Sequence, residues 1–150
     1  MKTPAAAVVV RSFNIPAERV FDAWLDPTQI GRWMFGPVVR EERIVRLTLD
    51  ARVGGTFSFV VERQGQEIDH TGEYVEIDRP RRLVFTWGTR DSWPETSRVT
   101  IELTPVPAGC ELKLTHEMSP RWAEFTERAA SSWKTMLGAL ERALNSPTPL

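Results

Sequence analysis

Residues 119–144 read Ser-Pro-Arg-Trp-Ala-Glu-Phe-Thr-Glu-Arg-Ala-Ala-Ser-Ser-Trp-Lys-Thr-Met-Leu-Gly-Ala-Leu-Glu-Arg-Ala-Leu. Within this stretch Trp122, Phe125, Ala129, Trp133, Met136, Leu137, Leu140 and Leu144 recur at steps of three and four, the period of one helix face. Glu124, Glu127, Arg128, Ser131, Lys134, Thr135, Glu141 and Arg142 fall on the opposite side. Ser119 is placed to cap the first free N–H groups, and Pro120 suits a first turn because it has no N–H to lose. Only Gly138 breaks the run before Pro147, so the spacing predicts one helix of about 26 residues, roughly 39 Å long. Such an aromatic stripe needs a large apolar partner, and the strand-rich region before it is the candidate. Whether the two surfaces close on each other or leave a hollow decides what the protein can do.

Working back from the helix, short strands follow one another. Cys110 to Glu117 sets Cys110, Leu112, Leu114 and His116 against Glu111, Lys113, Thr115 and Glu117. Ser97 to Thr104 alternates in the same way, as does Thr56 to Arg63, with Phe57, Phe59 and Val61 on one side. Ile44 to Asp50, His70 to Asp78 and Leu83 to Gly88 complete the set, with turns at Gly54-Gly55, Gln64-Gly65, Arg79-Pro80-Arg81-Arg82 and Pro107-Ala108-Gly109. Short connections imply antiparallel hairpins, and one apolar face per strand implies a sheet covered on one side. Before these, Ala6 to Phe13 reads as a first strand. Pro16 opens a short helix, and Asp26-Pro27-Thr28-Gln29 opens a second that buries Ile30, Trp33 and Met34 and stops at Gly36-Pro37. The expected class is α+β: a curved antiparallel sheet of about seven strands wrapped around a long C-terminal helix, with two short helices after the first strand.

Composition narrows the function. With 41% hydrophobic and 26% charged residues in 150, the chain is that of one soluble domain; we expect an ordered core over about 6–145 and a frayed tail over 146–150. A net charge of −1 lacks the basic footprint of a nucleic-acid binder. Ala5 to Val10 is too short for a membrane span or a secretory core. The single cysteine, Cys110, excludes an intramolecular disulfide and suits a reducing compartment, so a cytoplasmic location is expected.

Several words of the sequence resemble one family. Val20-Phe21-Asp22-Ala23-Trp24 through Asp26-Pro27 to Arg32-Trp33 and Gly36-Pro37 is similar to the opening of the family related to the activator of heat-shock protein 90 ATPase. Val53-Gly54-Gly55-Thr56-Phe57 resembles its central turn. Gly72-Glu73-Tyr74-Val75-Glu76-Ile77, Pro80 and Arg82-Leu83-Val84-Phe85-Thr86-Trp87 resemble the strand pair that follows, and Leu114-Thr115-His116 with the Trp133 region resembles its end. The resemblance implies the helix-grip fold of START-like proteins. It also implies either binding of hydrophobic or amphipathic molecules or action on a chaperone partner. The eukaryotic activator carries an N-terminal domain that these residues do not contain, which sets the chaperone reading second. Where many relatives have Gly before the final-helix Trp, this chain has Ser132.

The chemistry-bearing residues are few. His70, His116 and Cys110 have no metal-ligand spacing, so no metal or other cofactor is expected. Cys110 and His116 sit six residues apart on one strand, about 20 Å, beyond the reach of a nucleophile–base pair. Gly54-Gly55 lacks the Lys-Ser/Thr of a phosphate loop. Glu18, Asp22, Glu41 and Glu42 read as solvated faces. The aromatics carry the case, with six Trp against one Tyr. A cavity between sheet and helix would take apolar walls from Phe57, Phe59, Trp87, Phe125, Trp133 and Met136. Polar contacts would come from His116 and Tyr74, with Trp33, Trp87 and Trp93 near its mouth; which of Glu73 and Tyr74 points inward stays open. The expectation is a small-molecule binding protein for a hydrophobic or amphipathic ligand. The alternatives are a cyclase or hydrolase using His116 or Tyr74 for acid–base work, and a protein-interaction module. Exposed sheet edges also allow a homodimer.

Overall fold

The computed structural model describes residues 5–37, 39–89 and 97–145, and in them the elements fall in the expected order. Strand β1 spans Ala5–Phe13, helices α1 and α2 span Ala17–Asp22 and Pro27–Trp33, and strands β2 to β7 span Arg43–Leu49, Thr56–Arg63, Gln66–Asp78, Arg82–Thr89, Ser97–Val106 and Gly109–Met118. They form one antiparallel sheet in the order β1-β7-β6-β5-β4-β3-β2. Every consecutive pair from β2 to β7 is therefore a hairpin, and β1 closes on β7. The sheet curls round helix α3, Thr126–Asn145, which packs along β1 and α2. No helix among the described residues is long and apolar enough to cross a membrane.

Local chemistry explains most boundaries. Asp26 Oδ1 accepts the Thr28 N–H at 2.9 Å and Pro27 fills the first position of α2. Gln29 does not complete a capping box; its Oε1 is buried without a hydrogen-bond partner. Gln64 and Gly65 both have positive φ, as a two-residue hairpin loop requires, and they bring Arg63 opposite Gln66. Strand β4 thus starts four residues before the His70 expected from sequence. The ladder to β3 enforces extended backbone on Gln66, Glu67 and Asp69, whose own propensity does not ask for it.

The terminal segment differs from one continuous helix. Pro120–Phe125 is a 3-10 turn in which Trp122 takes φ −99° and ψ 15°, and the α-helix starts only at Thr126. The Ser119 side chain makes no cap; instead its carbonyl accepts the Trp122 N–H at 2.8 Å. Trp122 and Phe125 lean on each other at 5.2 Å, with Trp122 38% exposed, so the core does not hold this turn in α geometry. The buried stripe is the later part, Trp133, Met136, Leu137, Leu140 and Leu144. A 20-residue helix is about 30 Å long, enough to run across the sheet.

Alternation then builds the core. Phe57, Phe59 and Val61, then Leu83 and Phe85, then Val99, Ile101 and Leu103, then Cys110, Leu112 and Leu114 all turn toward α3 and are at most 4% exposed. Gly72 on β4 is required by a close approach, since a Cβ there would strike the Thr86 carbonyl and the Phe57 ring. Arg19 donates to the Leu144 carbonyl at 3.0 Å and so caps the far end of α3.

Candidate functional site

The sheet and α3 do not meet flush. A half-open cavity of about 260 Å³ lies at their seam, close to the lower end of the range for small-ligand sites. Strand ends and α3 build it. Trp87 from β5, His116 from β7, and Ala129, Ser132, Trp133 and Met136 from α3 form one side. Arg63 at the end of β3, His70 on β4, and Phe35 and Arg40 after α2 form the other. Ser132 is exposed and stands at the mouth.

The apolar part is a ring of aromatics. Trp87 lies 5.8 Å from Trp133, 5.6 Å from His70 and 6.2 Å from Phe35, on which it stacks; Phe35 lies 4.7 Å from His70. Flat, rigid surfaces of this kind stay in place while one face is left to a guest.

One hydrogen-bond chain fixes the wall. Trp133 Nε1–H donates to His116 Nδ1 at 3.1 Å, so the neutral ring carries its proton on Nε2. That proton goes to Ser97 Oγ at 2.6 Å, and Ser97 in turn donates to the Trp87 carbonyl at 2.9 Å. Burial pushes His116 down to about 4 from its ordinary value. An imidazolium would also turn an N–H on the Trp133 N–H. With both nitrogens spent inside the wall, His116 is a poor proton carrier for anything in the cavity.

His70 is arranged otherwise. Its Nδ1–H donates to the Phe59 carbonyl at 3.2 Å, which leaves Nε2 as an acceptor with no partner among the described residues. Burial is the main cause holding its pKa below the ordinary histidine value, and the Arg63 and Arg40 charges add to it. The ring is neutral at pH 7.

The two arginines share a buried carboxylate, and here the sequence reading is corrected. Glu42 is not a solvated residue; its side chain is fully buried. Its Oε2 accepts the Gly36 N–H at 2.8 Å and Arg40 Nη1 at 3.0 Å. Its Oε1 accepts Arg63 Nε at 3.1 Å and Nη2 at 2.7 Å. Arg40 also donates Nη1 to the Met34 carbonyl and lies 5.8 Å over the Phe35 ring.

Of the residues singled out from sequence, Trp87, His116, Trp133 and Met136 come together around this cavity. Trp33 is fully buried and donates to the Ala23 carbonyl at 3.1 Å, in the core. Phe57, Phe59 and Tyr74 surround a much smaller void of about 10 Å³ that shares the Trp87 wall. Tyr74 is the inward residue of its pair, 2% exposed with its pKa raised by burial, while Glu73 is exposed. Phe125 is half-buried against Trp122, outside both voids, and Trp93 lies outside the described residues. Sequence reading missed Phe35, Arg40, Arg63 and His70. For Arg63 the signal was present: it continues the inward series Phe57, Phe59, Val61 by one more step of two.

Comparison with known proteins places this architecture. Residues 14–145 match the family described as Activator of Hsp90 ATPase homolog 1-like protein. The chain belongs to that family. The 3-10 turn, α3 and the whole sheet from β2 to β7 lie inside the matched span, so the cavity is built from the family's own elements. A Chromobacterium violaceum protein is similar in structure at 24% identity and TM-score 0.82, covering 97% of this chain and 100% of its own. A Nitrosomonas europaea protein is similar at 20% identity and TM-score 0.80, covering 96% of each chain. At these identities the likeness speaks for the helix-grip, START-like fold alone. No curated protein matches the chain.

Proposed function

We propose that this member of the family is a cytoplasmic binding protein for a small hydrophobic or amphipathic molecule, held between the sheet and α3. The observation that carries the reading is the 260 Å³ cavity walled by Phe35, Trp87, Trp133 and Met136. Cores close-pack, and an apolar seam left open costs the dispersion contacts that filling would supply. Here the opening persists beside rings locked by the Trp133–His116–Ser97 chain, as a preformed site requires. Native mass spectrometry of the purified protein, with a thermal-shift screen of lipids, aromatics and polyketides, tests it. Retained small molecules or saturable stabilisation support the reading; an empty protein unresponsive to every class overturns it.

One observation favours a second reading. His70 holds its tautomer through the Phe59 carbonyl and leaves Nε2 free at the cavity, the layout of an oriented base. If the cavity carries out a reaction, His70 and not His116 is its acid–base group. Turnover of a bound compound that disappears in His70→Gln with binding retained would establish that reading.

A further inference from the structure

The cavity has a charged end, and its charge has one sign. Arg40 and Arg63 line it, and among the described residues no Asp or Glu does. The one carboxylate nearby, Glu42, is saturated behind them by the Gly36 N–H and three arginine N–H contacts. Two guanidiniums against one carboxylate leave a surplus positive charge at the wall.

The arginines are also not used up. Arg63 presents Nε and Nη2 to Glu42, so Nη1 has no acceptor among the described residues. Arg40 spends Nη1 on Met34 and Glu42, so Nε and Nη2 have none. Both side chains are only partly exposed, 26% for Arg40 and 35% for Arg63. Glu42 fixes the orientation of both forks. A fixed, partly desolvated guanidinium with spare donors is the geometry that recognises a carboxylate, in one or two parallel N–H···O bonds.

Building on the ligand-binding reading, we infer that the guest is a small carboxylic acid with an apolar body. Its carboxylate is received by Arg40 and Arg63, and its aromatic or aliphatic part lies against Phe35, Trp87 and Trp133. The modest volume restricts it to a compact acid. A diacyl lipid or a large polycyclic compound exceeds the space.

Isothermal titration of the full chain with cinnamate, octanoate and indole acetate, each beside its uncharged primary amide, tests the inference. The acids share the charge and the amides keep the shape. We expect at least one acid to bind about tenfold or more tightly than its amide, the worth of a charge-assisted hydrogen bond in a partly dry site. In Arg40→Gln, which leaves Glu42 paired with Arg63, that preference falls to about threefold or less. Acid and amide binding equally well would overturn the carboxylate assignment and leave the cavity reading standing. An acid preference unchanged in Arg40→Gln would overturn the assignment to this end of the cavity. No binding by any acid or amide would overturn the ligand-binding reading itself. Should Arg40→Gln fail to fold, the acid–amide comparison on the unaltered protein still decides.

Discussion

The indole N–H of Trp133 donates to Nδ1 of His116 at 3.1 Å, a buried bond between the last helix and the last strand. It joins the two surfaces beside the point where they part to leave the cavity, and it sets the tautomer of everything downstream of it. Replacing His116 by Phe keeps a ring but removes the acceptor. The orphaned Trp133 N–H and the broken Ser97 contact should cost about 2–3 kcal/mol at pH 7. Urea denaturation measures this, and a change below about 0.5 kcal/mol would contradict the role given to the pair.

The same histidine sets a pH dependence. Its folded-state value is about 4 against an ordinary 6.5, so between those values the unfolded chain binds the extra proton. Stability is therefore complete above pH 6.5 and falls as pH drops toward 4, by about 3 kcal/mol in total. His70, also lowered, acts in the same direction. Asp22 does not contribute in this window, because Arg79 lowers its pKa beneath the usual carboxylate value. Denaturation midpoints from pH 7.5 to 4.5 should slope in the unaltered chain and slope less steeply in His116→Phe, where the contribution of His70 remains.

Adjacent glutamates should behave very differently. Glu42→Gln removes the charge that holds Arg40 and Arg63 together and should destabilise by about 2–4 kcal/mol, somewhat less than a fully buried pair because both arginines reach water. Exposed Glu41→Gln should stay within about 0.5 kcal/mol. Equal effects would remove the argument for a built charge cluster.

Gly72→Ala offers a steric test of the sheet. The new Cβ would collide with the Thr86 carbonyl of the neighbouring strand and with Phe57, so β4 and β5 must separate locally. A loss of about 3 kcal/mol is expected by thermal or chemical unfolding. A neutral result would mean the strands do not approach as described.

Cys110 should be chemically silent. It is fully buried, and burial raises its thiol pKa, so at pH 7 it is neither ionised nor accessible. Labelling by a thiol reagent should run at least about 100-fold slower in the native protein than in urea. Fast native labelling would reopen a thiol-based reading of the site.

How much of this was legible follows from what periodicity can carry. Alternation in β3, β6 and β7 marked the inward faces correctly, because side chains on one face of a strand repeat every two residues whatever their partners. Capping chemistry placed the start of α2 to the residue, while its end came at Trp33, short of the expected Gly36-Pro37. The α3 stripe was visible too, yet its first turn was not. Trp122 and Phe125 have helical spacing, and spacing records a face without recording which hydrogen bonds form beneath it.

The charged end of the cavity was the least legible part. Arg63 continues an inward series, but an arginine facing a core is unexpected until its counter-ion is known. That counter-ion, Glu42, lies 21 residues earlier and looks like any surface acid beside Glu41. Phe35 and Arg40 sit between elements, where no period operates. Glu73 and Tyr74 could not be separated because β4 carries a register shift between Tyr74 and Glu76, which scrambles its two faces. Tertiary pairing, not local pattern, decided each of these.

If the seam between sheet and helix holds a guest, closing its mouth must shut that guest out. Ser132 is exposed at the opening, so Ser132→Phe should leave unliganded stability within about 1 kcal/mol while blocking entry. With the tightest-binding probe acid at about ten times its Kd, the unaltered chain should gain roughly 1.4 kcal/mol, a Tm rise of about 4 °C, and Ser132→Phe should gain less than a quarter of that. Equal rises in the two proteins, or none in either across the whole screen, would contradict the account.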